Sequence, residues 1–161
     1  MLDFNDLYES YGPEVYRFAY WLAGNAAEAE DITSETFIRA WINFASIKTE
    51  TLKAYLFQIA RNIYLEWLRK QKSQVDLEDS YPDPHPRPDK LAEDYAEMEM
   101  VKRVLRAIPE IDRAAFILRV QHELPYAEIA RVLQLSVAAA KVKVHRTRKK
   151  LLIARMSKEA V

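Results

Sequence analysis

The chain has 161 residues, half of them apolar, with 24 Lys and Arg balanced by 24 Asp and Glu and no cysteine. Disulfides and cysteine-ligated zinc are thereby excluded, in keeping with a reducing compartment. No apolar run approaches the ~18 residues of a membrane span and no basic-then-apolar leader opens the chain, so it is expected to be cytoplasmic with no membrane insertion.

Only Gly12 and Gly24 occur as glycines, strand-type alternation is weak, and apolar residues recur at helical spacing, which predicts an all-α fold. Glycines confined to that stretch also leave no glycine-rich phosphate loop. In residues 3 to 23, Leu7, Tyr11, Val15, Phe18, Ala19 and Leu22 form one stripe, and Gly12-Pro13 is expected to break or kink that helix. Gly24 reads as its stop, Asn25 as the next N-cap, and Glu28 as a capping-box partner. The following helix, to about Phe44, is expected to bury Ile32, Phe37, Trp41 and Phe44 and to show Asp31, Glu35 and Arg39 on its other face. Residues 1 to 47 carry a net charge of −6. A helix from about Glu50 to Lys72 is expected to bury Leu52, Leu56, Ile59 and Ile63 and to expose Lys53, Arg61, Arg69, Lys70 and Lys72, within a block of net charge +4 over 48 to 72.

Residues 73 to 88 change character. Pro82, Pro84, Pro86 and Pro88 alternate with Asp83, His85 and Arg87, which excludes helix and favours extended backbone. With Asp76, Glu78 and Asp79 the segment reads as an acidic, proline-rich linker, and residues 73 to 100 sum to −7. The predicted organisation is therefore two small helical domains, 1–72 and 89–161, joined by the linker 73–88. The second domain begins with a helix through Leu91, Tyr95, Met98 and Leu105, stopped at Pro109, followed by Ile111 to Gln121 with Phe116, Ile117 and Val120 inside.

Residues 129 to 158 contain no acid but hold Arg131, Lys141, Lys143, Arg146, Arg148, Lys149, Lys150, Arg155 and Lys158. A short helix from Tyr126 to Leu133, a break at Gln134-Leu135-Ser136 and a long basic helix have the layout of a helix-turn-helix, whose second helix enters a DNA major groove. Ser136 suits its N-cap. Ala140, Val144, Thr147 and Leu151 share the inner face, which leaves Lys141, Val142, His145 and Arg146 outward, with Lys143, Arg148 and Lys149 nearer the phosphates.

No catalytic constellation is legible. His85, His122 and His145 have no metal-ligand spacing, and no Ser-His-Asp arrangement follows from residue order, so no enzyme activity, metal or cofactor is implied. Trp21, Trp41 and Trp67 read as core, with Trp67 able instead to stack on a base.

The strings Glu28-Ala-Glu-Asp-Ile-Thr-Ser-Glu-Thr-Phe-Ile-Arg-Ala-Trp41 and Leu56-Phe-Gln-Ile-Ala-Arg-Asn-Ile-Tyr-Leu-Glu-Trp-Leu-Arg69, followed by Ile108-Pro109, Tyr126-Ala-Glu-Ile-Ala130 and Val144-His-Arg-Thr-Arg-Lys-Lys-Leu151, resemble an extracytoplasmic-function sigma factor across nearly the whole chain. The resemblance implies a promoter-recognition subunit of RNA polymerase with a region 2 domain and a region 4 domain. It implies that the helix of Asp31, Glu35 and Arg39 docks on the clamp of the largest polymerase subunit. It places Asn62, with Ile47 in the preceding loop, at an extruded base of the −10 element. Arg61, Arg69 and Lys70 are then expected on the single strand, and Arg119 on the backbone of the −35 duplex. An amide that both donates and accepts suits an extruded base. The linker acids Asp76, Glu78, Asp79 and Asp83 are read either as nucleic-acid mimics on basic protein surface or as part of a passive, proline-stiffened spacer. An anti-sigma partner is a further implication. Departures from the family are Gln134, where glycine is usual, a small Ala140, and Val142 at a base-facing position. A stand-alone helix-turn-helix repressor and a protein-interaction adaptor are the alternative readings.

Overall fold

A computed structural model describes residues 3–46, 52–73 and 92–159, and among them every regular element is helical. The elements are α1 (Phe4–Ala23), α2 (Ala26–Ile42), a single 3-10 turn (Phe44–Ser46), α3 (Leu52–Ser73), α4 (Ala92–Ala107), α5 (Glu110–Val120), α6 (Tyr126–Leu133) and α7 (Val137–Glu159). α3 takes in Ser73, the first residue of the predicted linker; the rest of the linker and Ile47 lie outside the described residues.

Local chemistry sets the helix ends. Asp3 caps α1 by accepting from the Asp6 amide at 2.8 Å, while Asp6 reaches back to the Asp3 amide. Gly24 ends α1 in the left-handed region (φ 75°), where a side chain would be strained and would also strike the Arg106 guanidinium. Asn25 then caps α2, its carbonyl accepting from the amides of Ala27 and Glu28.

Contrary to the expected break, α1 runs unbroken through Pro13. Proline inside a helix costs about 3 kcal/mol. Leu7, Val15, Phe18 and Leu22, on both sides of it, are all essentially fully buried. At roughly 1.5–3 kcal/mol for each such side chain, keeping the stripe continuous outweighs the lost hydrogen bond.

α1, α2 and α3 pack as a three-helix layer around Phe18, Phe37, Phe57, Leu52 and Leu56. Buried Thr33 and Thr36 are accommodated because their hydroxyls donate to the carbonyls of Ala29 and Ile32. In the second module α5 and α6 pack on α7, with α4 against α5 and α7. The modules also touch each other, α3 on α6 and α1 on α5, so one buried apolar cluster runs through both.

Three expected core residues are exposed. Trp41 is 42% accessible, because the buried stripe of α2 is Ile32, Thr33, Thr36, Phe37 and Ala40, and Trp41 lies at its edge against Phe4 and Phe44. Met98 falls in the half of α4 before its buried residue, Leu105. Val120 lines an open apolar groove rather than the core. Phe44 and Leu151 are half-buried.

Candidate nucleic-acid interface

On α3, Asn62, Glu66 and Arg69 follow one another on a single face by helical spacing. With Arg39, Leu65, Leu68 and Lys72 they line an open groove of about 480 Å³. Asn62 and Arg69 are exposed, so an amide and two cations stand together at the groove floor and mouth. The other candidates from this helix are turned away. Trp67 stacks on Tyr64 (6.0 Å between ring centres) and, with Lys70, lines a separate cleft between α2 and α3 that also holds Glu28, Asp31 and Glu35.

Arg39 divides the two grooves. Its guanidinium donates to both carboxylate oxygens of Glu66 (3.2 and 2.9 Å) and to Glu35 at 2.6 Å. That hydrogen bonding raises the Arg39 pKa and holds the Glu66 carboxyl below its usual range. These groups are all about a third or more exposed, so the arrangement orients side chains more than it stabilises, at about 0.2–1 kcal/mol per pair. Arg39, expected among the polymerase contacts, thus ties α2 to α3, while Asp31 and Glu35 remain exposed. Glu28, flanked by Asp31 and Arg106, is pushed up to about 7, chiefly by burial.

The helix-turn-helix is built from α6, a break and α7. Gln134 takes the left-handed conformation (φ 56°, ψ 50°) and closes α6 through its amide to the Ala130 carbonyl. Ser136 caps α7, its Oγ accepting from the Ala139 amide at 3.1 Å. Ala140, Val144 and Thr147 are buried, and Lys141, Val142, His145, Arg146, Arg148 and Lys149 are exposed. Val142, at 52% accessible, stands amid this polar face.

Arg119 is half-buried, stacked over the Tyr126 ring at 4.3 Å and donating to the Leu124 carbonyl, with Lys141 at 5.7 Å from the same ring. Lys143 is not free for phosphate. Its ammonium is 3.3 Å from Asp112 of α5, which is only 3% accessible and also receives Arg146 at 3.3 Å. Asp112 therefore fixes the rotation of α7, a role its place among the ordinary first-turn acids of α5 did not suggest.

Family models for sigma-70 region 2 and sigma-70 region 4 match residues 7–74 and 98–151. The ECF RNA polymerase sigma factor SigM of Bacillus subtilis is 30% identical over 152 residues, covering 91% of each chain. The chain belongs to the extracytoplasmic-function sigma factors. The ECF sigma factor SigE of Mycolicibacterium smegmatis is 29% identical over 157 residues, 94% of this chain, which spans 61% of that relative. The crystal structure of the sigma factor RpoE bound to the anti-sigma factor NepR from Bartonella quintana superposes with a TM-score of 0.77 at 25% identity, covering 96% of this chain and 97% of that one.

As a sigma factor the chain serves promoter-directed transcription initiation; α3 lies within the stretch matched by region 2, and α6 with most of α7 lies within that matched by region 4. Between those regions lies a set of contacts that no spacing rule pointed to. Arg61 donates from Nε and Nη2 to the two carboxylate oxygens of Glu110, 2.8 Å each, with side chains only 13% and 15% accessible. His122, 4% accessible, sits against Phe57 and Phe18 at 4.7 and 6.1 Å between ring centres, and neither of its nitrogens has a protein partner. Burial first, then the charges of Lys53 and Arg17, lower its pKa to about 4. Arg113 donates to the Tyr64 hydroxyl, Arg106 to the Gly24 carbonyl at 2.7 Å, and Lys102 to the Tyr20 hydroxyl. Among the described residues no three His, Cys, Asp or Glu side chains could hold a metal, and no helix is long and apolar enough to cross a membrane.

Proposed function

We propose that residues 1–72 form the region 2 domain, which takes the opened −10 strand on α3 and core polymerase on α2. Residues 89–161 form the region 4 domain, which reads the −35 duplex with α7, and 73–88 link the two. Asn62 is the base-reading group, since its amide faces an open groove beside Arg69 and Lys72, the cations that would hold phosphates on either side. Asp31 and Glu35 offer the polymerase clamp an exposed acidic stripe that fixes register more than it adds affinity. Arg39 acts from behind, by holding Glu35 and Glu66 in place. Trp67 and Lys70 belong to the α2–α3 cleft and act on the polymerase side rather than on the strand.

On α7, Lys141 and Arg146 suit guanine acceptors and Val142 a thymine methyl, with His145 between them. Lys149 and Arg148 suit phosphates, whereas Lys143 and Arg119 position the reading face through Asp112 and Tyr126. The observation that carries this reading is the helix-turn-helix itself. Its turn and cap are both formed and its inner face is buried, which leaves Lys141, Val142, His145 and Arg146 outward together.

The role is one of binding rather than catalysis, and its place is the cytoplasm, where the promoter is. An anti-sigma partner belongs to the same reading, supported by the complex of the structural relative with NepR. Run-off transcription with core polymerase tests the proposal: RNA that depends on both this chain and a promoter is expected. Duplex binding with no stimulation of polymerase would favour a repressor instead.

A further inference from the structure

One acid stands in the groove that takes the −10 strand in the proposed function. Glu66 lines it together with Asn62, Leu65, Leu68, Arg69 and Lys72. Its side chain is 40% accessible, and its pairing with Arg39, itself 36% accessible, contributes only about 0.2–1 kcal/mol to the fold. A carboxylate beside a phosphodiester chain repels it, so the position costs affinity for any strand. Stability alone is a weak reason for an acid at this place.

The Glu66 carboxylate has capacity to spare. An ionised carboxylate offers about four lone-pair sites. The Arg39 fork takes one on each oxygen, at 3.2 Å to Oε1 and 2.9 Å to Oε2, and leaves the others for a ligand. Hydrogen bonding to Arg39 holds the Glu66 carboxyl below its usual range, so the group stays ionised and can only accept. Asn62 lies four residues before Glu66, which makes the two side chains neighbours on one face of α3, about 5–6 Å apart at their Cβ atoms. The Asn62 amide is exposed, and it both donates and accepts. Leu65 and Leu68 border the same groove and give the flat face of a base an apolar wall.

A fixed acceptor next to a donor matches one kind of Watson–Crick edge. Adenine and cytosine present an amino group beside a ring nitrogen that accepts; thymine and guanine present a carbonyl beside a ring N–H. Set against Glu66, the amino group donates to the carboxylate while the ring nitrogen accepts from the Asn62 amide. A thymine or guanine carbonyl in the same place meets a negative charge with no proton between them.

We infer that Glu66 is the base-selecting residue of this groove: its carboxylate and the Asn62 amide together admit adenine or cytosine, which carry an amino group on the Watson–Crick edge, and reject thymine and guanine. The inference rests on the proposed placing of the −10 strand on α3. Asn62 suits either kind of edge, because its amide can turn over; Glu66 decides which kind is held.

Two single-stranded 12-mers test this with the full chain by fluorescence anisotropy at one salt concentration. One consists of cytosine and adenine; in the other every cytosine is uracil and every adenine is hypoxanthine, which exchanges amino group for carbonyl and leaves length, charge and ring size unchanged. The unmodified chain is expected to bind the amino strand about tenfold more tightly. Glu66→Gln should bring the two within about twofold, since a side-chain amide satisfies either edge. Glu66→Lys should invert the preference, because an ammonium donates to the carbonyls, and misfolding would not give that reversal. Equal binding of the two strands by the unmodified chain overturns the inference, as does a preference that survives unchanged in Glu66→Gln. Arg69→Ala checks the underlying placement separately: it should weaken both strands alike, and no loss of binding would remove the strand from α3 and the role of Glu66 with it. A loss in Arg69→Ala without any amino preference in the unmodified chain sinks the role of Glu66 alone.

Discussion

Replacing Asp112 by Asn removes one charge from a buried site and leaves two cations without their partner. The carboxylate is 3% accessible and lies 3.3 Å from both Lys143 and Arg146. Breaking a fully buried pair from one side costs about 3–5 kcal/mol. Here the side chain of Arg146 is 54% accessible and that of Lys143 is 19%, so both cations find water after small movements, and the loss is scaled down to about 2 kcal/mol. For a chain of this length that lowers Tm by about 4–8 °C. The same change releases Lys143 toward the proposed DNA face of α7, so the salt dependence of duplex binding should steepen by about 0.9 in the log-log slope if it gains one phosphate. Thermal unfolding by circular dichroism and duplex titration at several salt concentrations give the two readouts. An unchanged Tm would refute the claim that Asp112 anchors α7. A lower Tm with a shallower slope would instead mean that Asp112 holds Lys143 on the phosphate rather than away from it.

Lys149→Ala should reduce the duplex salt slope by about 0.9, and Lys143→Ala should reduce it distinctly less, because Lys143 already has Asp112; equal losses would contradict that pairing. Asn62→Ala is expected to lower promoter-dependent run-off by about ten- to a hundredfold, in line with a lost base contact, while polymerase binding measured by co-migration stays unchanged. Gln134→Gly relieves a left-handed side chain and should raise stability by about 1 kcal/mol, read as a higher denaturation midpoint with the same slope. His122, at about 4, favours the packed fold fully above pH 6.5 and loses that contribution as pH falls toward 4. Glu28, at about 7, acts the other way, since its burial penalty is relieved as pH falls from 7 toward 4.5. Glu28→Gln should therefore lose stability more steeply between pH 7 and 4.5 than the unmodified chain does, because the opposing contribution of Glu28 is gone and that of His122 remains. A profile in Glu28→Gln no steeper than that of the unmodified chain would contradict these opposed roles of His122 and Glu28.

Much of this sigma factor is legible in one dimension because its signals are local. Helix ends follow from Gly24, Asn25 and Ser136, whose capping hydrogen bonds reach only neighbours two to four residues away. The inner face of α7 follows from the spacing of Ala140, Val144 and Thr147, and its outer face from what remains. The polymerase and promoter assignments came from ordered motifs rather than from periodicity, and the two region matches agree with their order. Tertiary packing decided what spacing could not. It kept α1 whole through Pro13, since the burial of four large residues exceeds one lost hydrogen bond. It sorted the cations, which look alike in sequence, into those facing solvent (Lys141, Arg69, Lys149) and those spent on acids from distant segments: Arg61 on Glu110, Lys143 on Asp112 and Arg39 on Glu66. It also turned His122 from an ordinary polar residue at a helix end into a neutral plug between two phenylalanines. Helical periodicity says which side of a helix a residue is on, but only the neighbouring helix determines whether that side meets water, a carboxylate or an aromatic ring.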